Sequence, residues 1–152
     1  MAVLDTETYL NAVCRMIEEG QSNVPVPIRG DSMRPFLRSA DFAYLTQLPE
    51  QVKKGDMILF RRLNGQYVLH RVYKILADGN YLLLGDSQMI PEPVHRDQFR
   101  ALVTHVRAGA QLLTPKDLRW WFFAYPWRWL APWRPQVTKL LALFRKKSTP
   151  AQ

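Results

Sequence analysis

Apolar residues recur at helical spacing near the start of the chain and at strand spacing through its middle. The first pattern predicts an amphipathic helix over about residues 6–19, closed by Gly20. Its apolar positions are Leu10, Val13, Met16 and Ile17. Residues 24–28 include two prolines, which favour an extended segment after the helix.

Apolar and polar positions alternate between residues 41 and 107, a pattern that is typical of strands. The predicted strands cover about residues 41–48, 56–62, 67–76, 81–84 and 99–107. Asn64-Gly65 and Asp78-Gly79 each stand between two of these strands and favour tight hairpin turns. Short connections of this kind predict a mainly β, antiparallel domain.

Charged and aromatic residues are distributed unevenly along the chain. Residues 1–117 hold 14 Lys and Arg against 13 Asp and Glu, whereas residues 118–152 hold 7 basic residues and no acidic one. All five tryptophans lie between Trp120 and Trp133. We therefore divide the chain into an N-terminal helix with its extended segment (1–27), a body (28–115) and an aromatic, basic tail (116–152).

The tail combines residues that favour the interface between a membrane and water. Tryptophan prefers that interface, and basic side chains pair with lipid phosphates. Prolines interrupt residues 119–147 at three positions, and the chain has no run of 18 apolar residues. We therefore expect a peripheral or monotopic anchor over residues 119–147, with the membrane face left open, rather than a spanning helix. A helix packed on the body or on a partner protein is the alternative interpretation.

Several kinds of site are not indicated by the sequence. The single cysteine, Cys14, excludes an intrachain disulfide, and three histidines with one cysteine match no metal-site spacing. No phosphate-binding loop or dinucleotide-binding motif occurs, so no cofactor is expected. The body shows neither a basic stripe nor a nucleic-acid-binding module, so no nucleic acid partner is expected. The acidic N-terminus lacks the pattern of a signal peptide.

Ser32 has the surroundings that a nucleophilic serine requires. Gly30 permits unusual backbone angles and Pro35 prevents a continuous helix, so the hydroxyl can stand clear of an irregular turn. A nucleophile also needs a nearby base, and His70 lies on the apolar face of a predicted strand. Lys74, on the same face, is an alternative base. Taken singly, Ser32 also fits a turn cap and His70 a core histidine.

Two carboxylates are candidates for the residue that orients His70. With a two-residue hairpin turn, the register places His70 opposite Ser87 and Asp86 within one pair of it, although Asp86 would then point to the other face. Glu92 follows in a loop between two prolines and can also approach the ring. The residues alone leave both alternatives open.

Four short motifs follow one another along the body. They are Gly-Asp-Ser-Met-Arg-Pro at 30–35, Lys-Gly-Asp-Met-Ile-Leu-Phe at 54–60, Leu-His-Arg-Val at 69–72 and Gly-Asp-Ser at 85–87. Together they resemble the signal peptidase I / LexA-like (S24/S26) family of serine peptidases, over about residues 28–107. The resemblance implies a compact, mainly β, antiparallel β-barrel-like catalytic fold in which Ser32 is the nucleophile. Because the base position holds His70 rather than lysine, the chain resembles the Ser–His branch.

The same resemblance places the catalytic acid in the Gly-Asp motif or shortly after it. Asp86 and Glu92 occupy these positions. The chain departs from the family pattern in two places. Ser87-Gln88 stands where asparagine is common, and Glu92 stands where an aspartate is found.

These observations predict a membrane-associated serine endopeptidase of the signal-peptidase type. Its partner is a polypeptide substrate, which the family suggests is cut after small residues through an acyl ester at Ser32. A LexA-like self-cleaving protease is one alternative, although no DNA-binding segment is recognised before the body. A non-catalytic membrane-associated module of the same fold is the other. The substrate's identity and the oligomeric state are not predicted.

Overall fold

An eight-stranded antiparallel sheet forms the framework of the protein. The computed structural model describes residues 6–147 of the 152-residue chain. The strands are β1 (Val24–Pro27), β2 (Phe42–Thr46), β3 (Met57–Arg61), β4 (Tyr67–Ile75), β5 (Tyr81–Leu84), β6 (Glu92–Val94), β7 (Phe99–Ala108) and β8 (Gln111–Leu113). Their order is β1-β2-β7-β3-β4-β5-β6, with β8 paired to β7, and the sheet stays open between β1 and β6. The mainly β, antiparallel fold class is thus confirmed.

Four helices accompany the sheet in the part of the chain that is described. They are α1 (Thr6–Glu18), α2 (Leu118–Ala124), α3 (Pro126–Trp129) and α4 (Arg134–Lys147), with short 3-10 helices at Arg96–Gln98 and Ala131–Trp133. Helix α1 matches the predicted amphipathic helix and ends near Gly20, whose φ is +100°. No helix within residues 6–147 is both long enough and apolar enough to cross a membrane.

Two clusters of buried apolar side chains form the core. The larger cluster joins α1 to β1, β2, β3 and β7, and includes the turn that carries Ser32. Helix α1 contributes Val13, Cys14 and Ile17, which lie on its apolar face. The smaller cluster lies among β3, β4, β5, β6 and β7, and contains Val52, Ile58, Phe60, Val72, Leu83, Val94 and Phe99. Burial of this apolar surface is the main force that holds α1 and the strands together.

The hairpin of β4 and β5 has a different register from the one that its sequence predicts. The expected pairing of His70 with Ser87 is wrong, because Arg71 pairs with Leu84. The hairpin turn contains three residues rather than two. A bulge at Tyr73 then shifts the ladder once more. A bulge adds one residue to one strand and displaces every later pair, so Gly85 rather than Ser87 comes next to His70.

Strand β6 lies in the region that the sequence indicates to be a loop. It pairs with β5, so that Glu92 stands opposite Leu83. Prolines at 91 and 93 conceal this strand in the sequence, but a proline is tolerated where one edge of a strand has no partner. As the last strand in the order of the sheet, β6 offers such an edge. The pairing fixes Glu92 on the sheet rather than in a free loop.

The first half of the predicted tail packs into the body. Trp120, Phe123 and Trp127 are buried in the larger cluster. The ring of Phe36 lies 5.6 Å from that of Trp120 and 5.2 Å from that of Phe123. The change in composition near residue 115 therefore does not mark the end of the packed body.

Helix α4 is more exposed than the helices before it. Of its side chains that the structure describes, Arg134 is buried and Val137 packs against the larger cluster. Leu140, Leu141 and Leu143 are exposed. Trp121, Trp129 and Trp133 are exposed as well, so the apolar surface available for an external contact extends from α2 to α4.

Candidate active site

Ser32 lies in a tight turn between β1 and β2 that is anchored on both sides. Gly30 has a φ of +78°, a left-handed conformation that glycine adopts without strain. The N–H of Arg34 donates to the carbonyl of Asp31 at 3.1 Å, so the chain reverses around the serine. Met33 is buried immediately afterwards, whereas Ser32 stays partly exposed. The turn is therefore held by the core while the serine remains accessible.

The four residues after β5, the 85–88 loop, contact this turn directly. The N–H of Ser87 donates to the carbonyl oxygen of Ser32 at 3.0 Å. The hydroxyl of Ser87 lies 3.0 Å from the same oxygen and 2.9 Å from the carbonyl oxygen of Asp31, and donates to this pair of acceptors. The position of the Ser32 backbone therefore depends on the position of the loop.

Ser32 and His70 both lie close to Gly85. A methyl group on Gly85 would lie 2.4 Å from the carbonyl oxygen of Ser32 and 3.1 Å from Nε2 of His70. The first distance is well inside van der Waals contact, so glycine is needed here for space. Ser32 and His70 also line the same cavity, whose volume is about 670 Å³. The structure thus brings the predicted nucleophile and the predicted base to one site.

His70 is 1% exposed, and its Nδ1 atom faces Glu92. Nδ1 lies 3.4 Å from Oε1 of Glu92, but in the described part of the chain it has no partner with hydrogen-bond geometry. Both oxygens of Glu92 accept from Arg62, from Nε at 3.0 Å and from Nη2 at 2.7 Å. Glu92 is therefore the carboxylate that lies beside the histidine, and Arg62 holds it in place.

Asp86 is paired with Arg71 instead of His70. These two side chains are 1% and 2% exposed, and Arg71 donates to both carboxylate oxygens, from Nε at 3.0 Å and from Nη2 at 2.9 Å. Arg71 also donates from Nη1 to the carbonyl of Gly55 at 3.0 Å, and its guanidinium lies 5.1 Å from the ring centre of Phe36. A buried carboxylate requires such a partner. Asp86 thus connects the 85–88 loop to β4 and to the turn before β3.

The arrangement of motifs and sheet agrees with the comparison against protein families. The model of a family described as Peptidase S24-like matches residues 1–105. The chain belongs to this family of S24-like peptidases. The match includes Ser32, His70, Asp86 and Glu92, and it ends within β7, before the C-terminal helices. The comparison with curated proteins and the comparison with solved structures each gave no match.

The sequence did not predict the roles of two arginines of this S24-like site, Arg71 and Arg62. Arg71 lies in the same motif as His70, and strand alternation puts the two side chains on opposite faces. Asp86 in the Gly-Asp-Ser motif and Arg71 in the Leu-His-Arg-Val motif carry opposite charges. This complementarity is a signal in the sequence from which their ion pair could have been predicted. Arg62 follows β3 and gives no comparable signal, because its partner Glu92 lies on a strand that the prolines conceal.

The S24-like site holds its histidine in the neutral form. Burial lowers the pKa of His70 from about 6.5 to about 4; the nearby charge of Glu92 opposes this shift, and that of Arg62 adds to it. A neutral imidazole can accept a proton, as a general base must. The imidazole is therefore ready to act as a base at neutral pH and well below it.

The lowered pKa of His70 predicts that kcat/KM falls only at an unusually low pH. If His70 is the base, kcat/KM for peptide cleavage should fall with a midpoint near pH 4, rather than between 6 and 7 as an unperturbed histidine would give. Glu92→Gln removes the charge that raises the pKa, so its midpoint should lie lower still. The measurement is kcat/KM between pH 3.5 and 8, with circular dichroism recorded at each pH to exclude unfolding.

The same shift affects stability with a definite sign. The unfolded chain binds the His70 proton near pH 6.5 and the folded chain only near pH 4. As the pH is lowered from about 6.5 to about 4, the free energy of unfolding should therefore decrease, by about 3 kcal/mol in all. His95→Gln, which changes an exposed histidine outside the site, serves as the control for the activity profile and should leave its acid limb in place. An acid limb at pH 6.5 or above in the wild type would contradict the prediction.

Proposed function

We propose that this chain is a serine endopeptidase in which Ser32 is the nucleophile, His70 the general base and Glu92 the acid that supports the base. The main support is the geometry around Gly85. Ser32 and the Nε2 side of His70 meet there, while Glu92 lies at Nδ1 on the other side of the ring. A nucleophile, a base and a carboxylate that lie in this spatial order form the arrangement used for acyl transfer.

The reaction follows from these positions. Nε2 of His70 accepts the hydroxyl proton as Oγ of Ser32 bonds to the carbonyl carbon of the peptide. The C–N bond then breaks, and His70 gives the proton to the departing amine, which leaves an ester on Ser32. Water then attacks the ester with His70 again as base. This step releases the carboxylic acid of the cleaved peptide and regenerates the Ser32 hydroxyl. The negative charge of Glu92 stabilises the imidazolium in both steps.

Gln88 is suited to stabilise the oxyanion that forms during these steps. Its side chain lines the cavity together with Ser32 and His70. The side-chain oxygen accepts from the N–H of Gly85 at 3.1 Å, so the NH₂ group is the part that remains as a donor. A donor fixed before the reaction needs no reorganisation when the charge develops.

The cavity favours an extended peptide with apolar side chains. Its wall is formed mainly by α1 and by strands β1 to β4, and its apolar members include Tyr9, Leu10, Val26, Ile28, Leu45 and Leu59. Specificity for a small residue beside the cleaved bond, as in signal peptidases, is suggested by the resemblance of the four motifs and not by the shape of this cavity.

Self-cleavage of the LexA-like kind is the second candidate, and the S24-like family match favours it. The test is incubation of the purified full chain at protein concentrations that span a 100-fold range, with and without an added apolar peptide. Cleavage in trans should consume the added peptide at a rate proportional to protein concentration. Cleavage of the chain itself, with a first-order rate constant independent of concentration and an untouched peptide, would select self-cleavage.

We also propose that α4 docks on an anionic membrane surface. Three of the seven C-terminal cations, Arg119, Arg128 and Arg134, donate to carbonyls of the body. Lys139 is exposed beside the exposed leucines of α4, and Arg145, Lys146 and Lys147 follow, with no acidic residue after position 117. Each basic residue near such a surface contributes about 1 kcal/mol.

We expect the full chain to co-sediment with vesicles of phosphatidylglycerol and phosphatidylcholine, and to do so less at high salt. Leu140→Glu combined with Leu143→Glu should lower the vesicle-bound fraction by about 10-fold or more, since two exposed leucines lose their burial in lipid. Point substitutions are preferable to truncation near residue 116, which would remove buried Trp120, Trp127 and Arg134.

Leu63→Glu is the matched control, because Leu63 is an exposed leucine in the turn between β3 and β4. It should bind vesicles as the wild type does. Equal binding by the α4 double variant and the control, or no binding by the wild type, would exclude α4 as a membrane-docking helix.

A further inference from the structure

The C-terminal helices contact the 85–88 loop through its main-chain carbonyls. Nη1 of Arg134 donates to the carbonyl of Gly85 at 2.8 Å and to that of Gln88 at 2.5 Å. Nε1 of Trp127 donates to the carbonyl of Asp86 at 2.6 Å. Three of the four loop carbonyls therefore accept from two side chains that lie beyond residue 120.

These two donors also hold each other in place. Arg134 is 4% and Trp127 5% exposed. Nη2 of Arg134 donates to the carbonyl of Trp127 at 3.2 Å, and the guanidinium lies 5.4 Å from a ring centre of the indole. Burying a cation carries a desolvation cost, and an apolar side chain of similar size would have a lower desolvation cost at this position. The contacts with the loop give the arginine a role that packing alone does not require.

The loop transmits this support to the nucleophile. On one side it is held by Trp127 and Arg134, and on the other the N–H and hydroxyl of Ser87 bind the carbonyl of Ser32. Gly85 within the same loop separates Ser32 from His70. A displacement of the loop would therefore change the distance between nucleophile and base.

We propose that Trp127 and Arg134 are positioning residues of the active site, which fix the 85–88 loop and thereby the Ser32 backbone against His70. The inference rests on the proposed serine peptidase function, and it goes beyond the family match, which ends at residue 105. The C-terminal helices are on this view part of the catalytic unit. Neither residue touches the substrate; both act through the loop.

The experiment compares substitutions in helices α3 and α4 at residues that differ in what they contact. Arg134→Gln removes the guanidinium whose Nη1 donates to two loop carbonyls, and Trp127→Phe keeps an aromatic ring but removes the N–H donor. Arg128→Gln is the matched control, since Arg128 also donates to main-chain carbonyls, but to those of Ala124 and Tyr73 rather than to the loop. Each full-length variant is examined by thermal unfolding, by amide hydrogen exchange at Ser87 and by the rate of reaction with a fluorophosphonate probe.

We expect Arg134→Gln to slow the reaction of Ser32 with the probe by about 100-fold and Trp127→Phe by about 10-fold, since a small displacement of reacting groups has effects of this size. Exchange at the Ser87 amide should be faster by at least about 10-fold than in Arg128→Gln, at temperatures well below unfolding for both. Arg134→Lys keeps the charge and one donor nitrogen but not the planar guanidinium, and it should lie between wild type and Arg134→Gln.

The outcomes separate this proposal from the proposed function. Unchanged exchange at Ser87 in both loop variants overturns the positioning role, whether or not the probe reacts. Wild-type rates of reaction with the probe in both variants, with Ser32 labelled in the wild type, overturn it as well and leave the peptidase function standing. A wild type that does not react with the probe removes the peptidase function, and the exchange rates then still decide whether the loop depends on Trp127 and Arg134.

Discussion

Ser32→Ala should abolish peptide cleavage, with a loss in kcat of at least about 10⁴-fold, because the members of a nucleophile–base–acid set act as one unit. The fold should be retained. The Ser32 side chain is only partly buried, and its contacts with the 85–88 loop are made by the main-chain carbonyl, which alanine keeps. The free energy of unfolding should therefore change by no more than about 0.5 kcal/mol.

The measurement pairs peptide hydrolysis with fluorophosphonate labelling and mapping of the labelled peptide. Ser39→Ala is a suitable control, since Ser39 is an exposed serine a few residues after the same turn. It should cleave and label as the wild type does. Cleavage by purified Ser32→Ala, or a label on Ser87 in place of Ser32, would show that the nucleophile has been assigned to the wrong serine.

The sequence predicted the sheet well where local signals determine it. Alternating apolar positions and the Asn64-Gly65 turn specify β3 and β4 and their antiparallel pairing, which the structure confirms. The four motifs likewise pointed to Ser32 and His70, and the structure brings these two residues to one cavity. Periodicity and turn chemistry are properties of neighbouring residues, so they can be seen without the fold.

Register and partner choice could not be predicted in the same way. The bulge at Tyr73 has no marked sequence signal, yet it moves every later pair of the β4–β5 ladder. Glu92 reaches His70 only because β6 pairs with β5, and its flanking prolines indicate a loop. Which carboxylate meets which cation is decided by these pairings, so Asp86 and Glu92 could not be distinguished before the structure.

The C-terminal segment shows how composition can indicate more than one environment. Tryptophan and arginine suit a membrane interface because each combines an apolar body with polar donors. The same combination suits a buried position where carbonyl acceptors are available, as Trp127 and Arg134 find at the 85–88 loop. Only the tertiary structure locates those carbonyls, so the sequence could not separate the buried part of the segment from the exposed leucines of α4.

The structure predicts different consequences for substituting the two carboxylates, Asp86 and Glu92, between which the sequence did not decide. Asp86→Asn leaves the guanidinium of Arg71 buried without its charge partner, which should lower the free energy of unfolding by about 3–5 kcal/mol. Glu92→Gln alters a partly exposed ion pair with Arg62 and should cost about 1 kcal/mol or less. In Glu92→Gln the loss should appear instead in kcat, by about 10²–10⁴-fold, because the imidazolium loses its stabilising charge.

Urea unfolding and kcat/KM, both measured at a temperature where every variant is folded, test this pair of expectations. Asp97→Asn, at an exposed carboxylate, is the control and should change neither quantity. Replacing the whole buried pair, with Arg71→Met and Asp86→Leu together, should restore much of the stability that Asp86→Asn loses, because no unpaired charge then remains. If Asp86→Asn is as stable as the wild type but cannot turn over substrate, while Glu92→Gln is fully active, then Asp86 supports the base and the contact between Glu92 and His70 has no part in catalysis.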